Sequence, residues 1–369
     1  MAAETQAMSQ PRVSVIIPTY NRAESLPRAI DSALEQTLPD SELEVVVVDD
    51  GSTDDTASVL AGYDDPRVRP VVHATNQGAN VARNTGIEHA RGEYVAFLDS
   101  DDEWHPDKLA HQLETLAERG DDWVGVYCDT ALEVLETSDR ARGLVASLLA
   151  RSDAEPVREG DDELIGEILA DNVQPGAGST LVVETAVARA VDGFDEELDR
   201  FQDPEFCLRV LGEGKLAYVD EELVVREETG HPPADVIREA DEQYLSRYED
   251  EVERFEAAGY DIRASHELVL AKRYLAEGRF LRGAWHLRGA ATSPRRCPGL
   301  CWAAGTGVRR RPKTVLAGTA VVALVAVAMV AALARISVSD QIGPDIDELS
   351  PADAPVTIDP EDEHEDTSA

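Results

Sequence analysis

Lysine is almost missing from this 369-residue chain: Lys108, Lys215, Lys272 and Lys313 are the whole set, and arginine supplies the rest of its 34 basic residues. Against them stand 73 Asp and Glu, giving a net charge of −39. Such a balance repels phosphate backbones and argues against nucleic-acid binding through a broad basic face. A surface rich in carboxylate and poor in lysine fits adaptation to high salt, where self-repulsion is screened; a halophilic archaeon is the expected source. Cysteine is also scarce. Cys128, Cys207, Cys297 and Cys301 are too few and too scattered for a disulfide scaffold. Residues 1–10 are polar, lack the apolar core of a signal peptide and read as a disordered tail. No Gly-rich loop with a basic residue is present to cradle a triphosphate, which counts against a nucleotidyltransferase.

What is present begins with short apolar runs. Residues 13–18 (VSVIIP), 43–48 (LEVVVV), 67–73 and 94–98 (YVAFL) read as strands. Between them lie helical patterns, one with Leu26, Ile30, Ala33 and Leu34 on a single face and another over 78–91. A helix from about Pro106 and a strand at 123–128 follow. This alternation predicts an α/β fold with a mainly parallel sheet and helices on both faces. Ligands of such sheets bind beyond the carboxyl ends of the strands, where Asp49-Asp50 and Asp99-Ser100-Asp101-Asp102 fall. Further on, residues 181–184 read as a strand, 203–211 as a helix, 216–227 as one or two strands and 233–292 as helical. Tyr274 to Gly278 with Ala284, Leu287 and Ala290 has the spacing of one tetratricopeptide-like helix pair, without a second copy.

Residues 315–334 carry no charge. At about 1.5 Å per residue they span roughly 30 Å, the thickness of a bilayer core, and the expectation is one transmembrane helix at 315–335. Between His266 and Thr314 lie eleven Lys and Arg against Glu267 and Glu277. Positive flanks stay cytoplasmic. The large N-terminal part is therefore expected inside, its basic segment 295–314 on anionic lipid, and the acidic, disordered tail 336–369 outside.

Asp99-x-Asp101 follows an apolar strand, so its carboxylates project from a rigid edge toward the ligand crevice. Hard divalent cations such as Mg²⁺ or Mn²⁺ take oxygen ligands and bridge carboxylates to phosphates. Alone, D-x-D reads equally as surface charge in so acidic a chain. Asp49 suits a turn at Gly51-Ser52, and Asp50 suits a hydrogen bond to a base or ribose. Arg83 on its helix is placed for a diphosphate or for an ion pair. Tyr20 suits stacking on a base or packing on the sheet edge.

Four segments in order carry a more specific signal. They are Val13-Ser14-Val15-Ile16-Ile17-Pro18-Thr19-Tyr20-Asn21, Val47-Val48-Asp49-Asp50-Gly51-Ser52-Thr53-Asp54, Asn76-Gln77-Gly78 with Ala82-Arg83-Asn84-x-Gly86, and Gly92 through Trp104. Together they resemble glycosyltransferase family 2 over about residues 11–230. The resemblance implies a GT-A fold, with a nucleotide-sugar half (11–130), an acceptor half (131–230) and, after them, a helical extension (231–294). It implies that Pro18, Tyr20 and Asp50 hold the nucleoside, that Arg83 and Asp99 lie near the donor, and that Asp101 ligates the metal. It also implies a general base in a segment that usually reads Glu-Asp. Here that segment is Phe201-Gln202-Asp203-Pro204-Glu205, with Gln202 replacing the first acid and Asp203 left as the base. The implied activity is inverting, metal-dependent transfer from a nucleotide-sugar donor to a polyprenyl-phosphate-linked or glycan acceptor at the membrane. A catalytically inactive scaffold on the same fold is the alternative.

Overall fold

The computed structural model describes residues 10–132, 156–227, 232–290, 300 and 303–307. The segment expected to cross the membrane, the acidic tail, the first nine residues, Cys297 and Cys301 lie outside them. Among the described residues no helix is long and apolar enough to cross a membrane.

The N-terminal half alternates as its sequence predicts: β1 (Val13–Thr19), α1 (Leu26–Leu34), β2 (Leu43–Asp49), α2 (Thr56–Ala61), β3 (Val68–Val72), α3 (Ala79–His89) and β4 (Tyr94–Phe97). Then come β5 (Glu103–Trp104), α4 (Lys108–Ala117), β6 (Trp123–Leu132), α5 (Asp162–Leu169), β7 (Val182–Glu184), α6 (Thr185–Ala190), α7 (Gln202–Leu211) and β8 (Lys215–Arg226). Then follow α8 (Ala234–Arg247), α9 (Glu249–Ala257), α10 (Ile262–Ala276) and α11 (Phe280–His286).

The strands form one sheet in the order β3-β2-β1-β4-β7-β6-β8-β5. Pairing is parallel among β3, β2, β1 and β4, and between β6 and β8. The expectation of a mainly parallel sheet needs correction, because β7 runs antiparallel to both β4 and β6, and β5 antiparallel to β8. The sheet is mixed. The physical reason is local: β7 is three residues long, too short a run for its pattern to tell a parallel from an antiparallel strand.

β1 and β2 are buried along their whole lengths, as strands covered on both faces must be. Val13, Val15, Ile17, Val45 and Val47 pack with Leu26, Ile30 and Leu109 on one face. On the other, Ile16, Val95 and Phe97 pack with Ile87 and Phe206. Gly86 sets how closely α3 lies on the sheet: a Cβ there would come 2.2 Å from Ile16 Cγ2. Because β1, β2 and β4 are parallel neighbours, their carboxyl ends bring Thr19, Asp49 and Leu98-Asp99 to one edge.

Candidate active site

Asp49 behaves as the turn reading predicts, accepting the Ser52 amide at 2.9 Å. Gly51 has φ +73°, and a Cβ there would come 2.7 Å from the Thr75 backbone, so only glycine fits. Asp50 is buried, and its carboxylate accepts the amides of Gln77 (3.0 Å) and Gly78 (2.8 Å) while facing His73 Nδ1 at 2.7 Å. The structure thus turns Asp50 onto the loop that launches α3. Pro18 is buried within β1, and Tyr20 just beyond it is 43% exposed. The backbone after Tyr20 is latched to the next turn, with Asn21 N donating to Ser52 Oγ and Ala23 N to Asp54 Oδ2.

Arg83, Asp99, Asp101 and Asp203 come together. On α3, Asn80, Arg83 and Asn84 share a face through their i, i+3 and i+4 spacing. Asn80 Nδ2 donates to the carbonyls of Asp195 and Leu198, and Asn84 to that of Phe194, which ties the turn at Gly193 to the helix. Arg83 between them reaches Asp99 Oδ1 at 2.7 Å and lies over the Phe194 ring at 5.2 Å. Asp203 stands near the start of α7, just after Phe201 at φ 59°. Its Oδ1 is buried without a hydrogen-bond partner. Burial raises the Asp203 pKa; Arg83 opposes that shift and Asp99 adds to it. A carboxylate so placed is a better proton acceptor than an ordinary aspartate. It lines a cavity of about 540 Å³ together with Gln202, Tyr127, Arg200 and Tyr244.

The loop at 176–180 completes the site, and sequence reasoning missed it. Gly178 lies against Asp99, since a Cβ there would come 2.6 Å from Asp99 Oδ2. Ser179 Oγ accepts the Asp99 amide at 3.1 Å and donates to Asp102 Oδ2 at 2.5 Å. Asp102 is buried, which pushes its pKa up to about 6, with Asp99 adding to the effect. The Pro/Gly/Ser composition of this segment signals a loop, and nothing in it signals contact with residues some eighty positions away.

Among the described residues no group of three or more His, Cys, Asp and Glu side chains is arranged to hold a metal ion. The donor set at the acidic loop nonetheless suits a cation. Burial raises the Asp101 pKa and the Asp99 charge raises it further. The Arg22 guanidinium stands 3.2 Å from Asp101 Oδ2 and supplies positive charge there. Asp99 and Asp101 would be the protein's share of a Mg²⁺ or Mn²⁺ site, one or two carboxylates with phosphate and water oxygens completing it.

The chain is similar in sequence to known proteins. Residues 14–146 match the family described as Glycosyl transferase family 2. The chain is 47% identical over 112 residues to TuaG of Bacillus subtilis (strain 168), named as a teichuronic acid biosynthesis glycosyltransferase, covering 30% of this chain and 44% of TuaG. It is 34% identical over 203 residues to the amylovoran biosynthesis glycosyltransferase AmsB of Erwinia amylovora, covering 53% of this chain and 62% of AmsB. The chain thus spans only part of the length of the curated relatives it matches. Among solved structures it is similar to S. aureus TarS 1-349, at 20% identity and a TM-score of 0.50, covering 84% of this chain and 90% of that one. That likeness speaks to the fold alone. Residues 14–146 are therefore similar in sequence to glycosyl transferase family 2, and the described residues have an α/β, GT-A-like fold with a mixed sheet.

Proposed function

We propose that this protein is an inverting glycosyltransferase that moves a sugar from a nucleotide-sugar donor to a glycan or polyprenyl-phosphate-linked acceptor. The observation that carries this reading is Asp203: a buried carboxylate oxygen with no partner, facing a cavity and tied electrostatically through Arg83 to Asp99 and Asp101. Asp203 accepts the proton of an acceptor hydroxyl as that oxygen attacks the anomeric carbon. Arg83, held rigid by Asp99 and Phe194, offers preorganised positive charge beside the departing diphosphate. Asp101 and Asp99 would hold a divalent cation, whose chemistry is neutralisation of charge on the leaving group. The crevice beyond Thr19 and Asp50 takes the nucleoside, with Tyr20 exposed beside it.

Relatives named for teichuronic acid and amylovoran biosynthesis support a polysaccharide product. The uncharged run 315–334 and the basic stretch before it support anchoring at the membrane, with the catalytic part cytoplasmic. The carboxylate-rich, lysine-poor composition supports work in high salt.

The test is thermal stabilisation in high potassium chloride by UDP, GDP and dTDP, with and without Mn²⁺. A ligand that binds only the folded state raises Tm. One nucleotide should give a shift that needs Mn²⁺, and Asp101→Asn should lose it. A folded protein that no nucleotide stabilises would remove the transferase reading.

A further inference from the structure

Three arginines, Arg158, Arg200 and Arg226, line the cavity beside Asp203. Two of them are engaged. Arg158 donates to the Tyr218 hydroxyl at 2.7 Å and stands 3.4 Å from Asp129, and Arg226 stands 3.7 Å from Asp102. Arg200 is different. It makes no ion pair or side-chain hydrogen bond among the described residues, although the chain carries 73 acidic side chains. Its charge also acts on another cation: burial first, and then the Arg200 charge, lowers the pKa of Arg273 on α10, with Asp171 and Glu277 only partly offsetting them. Arg200 is thus an exposed guanidinium without an ionic partner among the described residues, at the rim of the cavity that holds the proton acceptor, and an anion there supplies the missing partner.

We propose that Arg200 binds a negatively charged group, carboxylate or phosphate, carried by the acceptor whose hydroxyl Asp203 deprotonates. This inference rests on the transferase reading above. The acceptor is then an acidic sugar or a phosphate-bearing unit rather than a neutral glycan. The fit is chemical. A net charge of −39 repels an anionic acceptor from most of the surface, so such an acceptor needs a local positive site near the reacting hydroxyl. The cavity volume of about 540 Å³ lies within the roughly 300–1,000 Å³ of small-molecule sites. Tyr127 and Tyr244 give it aromatic walls, and Gln174 and Gln202 give it neutral hydrogen-bonding groups.

The experiment is calorimetric titration of the full-length protein, saturated with its stabilising nucleotide, against paired probes: methyl glucuronide and methyl glucoside, then glycerol 1-phosphate and glycerol. An anionic probe should bind at least about tenfold more tightly than its neutral partner, and Arg200→Gln should remove that preference, since a charge-assisted hydrogen bond carries about that much. The pair that discriminates tells carboxylate from phosphate. Arg200 is exposed, so the variant is expected to fold, and an unchanged nucleotide-induced Tm shift will show that its donor site is intact. Equal binding of charged and neutral probes, no binding of either, or undiminished preference in Arg200→Gln overturns the anion site while leaving the transferase reading standing. Absence of any nucleotide effect in the wild type overturns both.

Discussion

Arg83 donates from Nη2 to Asp99 Oδ1 at 2.7 Å, and this bond joins the helix of the third sequence motif to the strand end of the fourth. Burial by itself would lower the Arg83 pKa, but Asp99, Asp203 and Asp101 together carry it above its ordinary value. One guanidinium therefore balances three carboxylates drawn from two separate segments. Lysine cannot replace it, because it lacks the planar fork that meets Asp99 and Asn80 together and stacks on Phe194. Arg83→Lys should lower turnover by about 10²-fold or more. Arg83→Met should also destabilise the fold, by about 3–5 kcal/mol, because it leaves buried carboxylates unpaired. Steady-state kinetics and denaturant titration check both, and a Met variant of wild-type stability would show that the three acids do not depend on Arg83.

Asp203 should show opposed effects on activity and stability. Its folded-state pKa is raised, chiefly by burial, so ionisation works against folding. That cost is absent below the unfolded-state pKa and fully present once pH exceeds the folded-state pKa. Asp203→Asn removes it and should raise Tm at neutral pH, while turnover falls by about 10²–10⁴-fold with the loss of the base. At pH 4 the Tm difference should shrink. A variant less stable than wild type at pH 7 would mean that the carboxylate makes structural bonds.

The loop at 176–180 makes a sharper claim about geometry. Gly178 packs directly on Asp99, and a Cβ there would come 2.6 Å from Asp99 Oδ2. Asp99 is a short side chain already pinned by Arg83, so it cannot move aside without loosening that pair. Gly178→Ala should cut turnover by roughly tenfold or more through misplacement of the reacting groups, with a far smaller fractional effect on nucleotide affinity. Unchanged turnover would show that the loop is soft enough to give way.

The four N-terminal motifs were legible because each is local: an apolar strand, then a turn residue or acid at its carboxyl end. Periodicity found β1, β2, β4 and α3, and the strand ends located Asp50, Asp99 and Asp101. What the residues did not reveal depends on contacts distant in sequence. Nothing in the 174–180 loop announces that Ser179 will bridge the Asp99 amide and Asp102. Nor does an aspartate after two alternating strands announce that its carboxylate will fold back on residues 77 and 78, as Asp50 does. The direction of β7 was hidden for the same reason, since three residues carry no periodicity that tells parallel from antiparallel.

Lys108 provides a prediction independent of catalysis. It is fully buried, with Nζ donating to Gln112 Oε1 at 2.7 Å and lying 3.9 Å from the Trp104 ring centroid. Burial pushes its pKa down to about 8, with Cys128 weakly opposing. The folded state therefore loses its proton at a pH where the unfolded chain keeps one. Between about pH 8 and the ordinary lysine value near 10.4, the unfolded state binds more protons, and stability rises with pH. The full rise corresponds to roughly 3 kcal/mol. Lys108→Met has no proton to release, and its Tm should lack this increment between pH 8 and 10 relative to wild type. At pH 7 the wild type carries the whole cost of the buried charge, eased only by Gln112 and the Trp104 face. The Met variant should therefore match or exceed its Tm there, despite leaving Gln112 Oε1 without a donor. Parallel pH-dependence curves for the two proteins would show that Lys108 stays protonated throughout, held by the Trp104 ring.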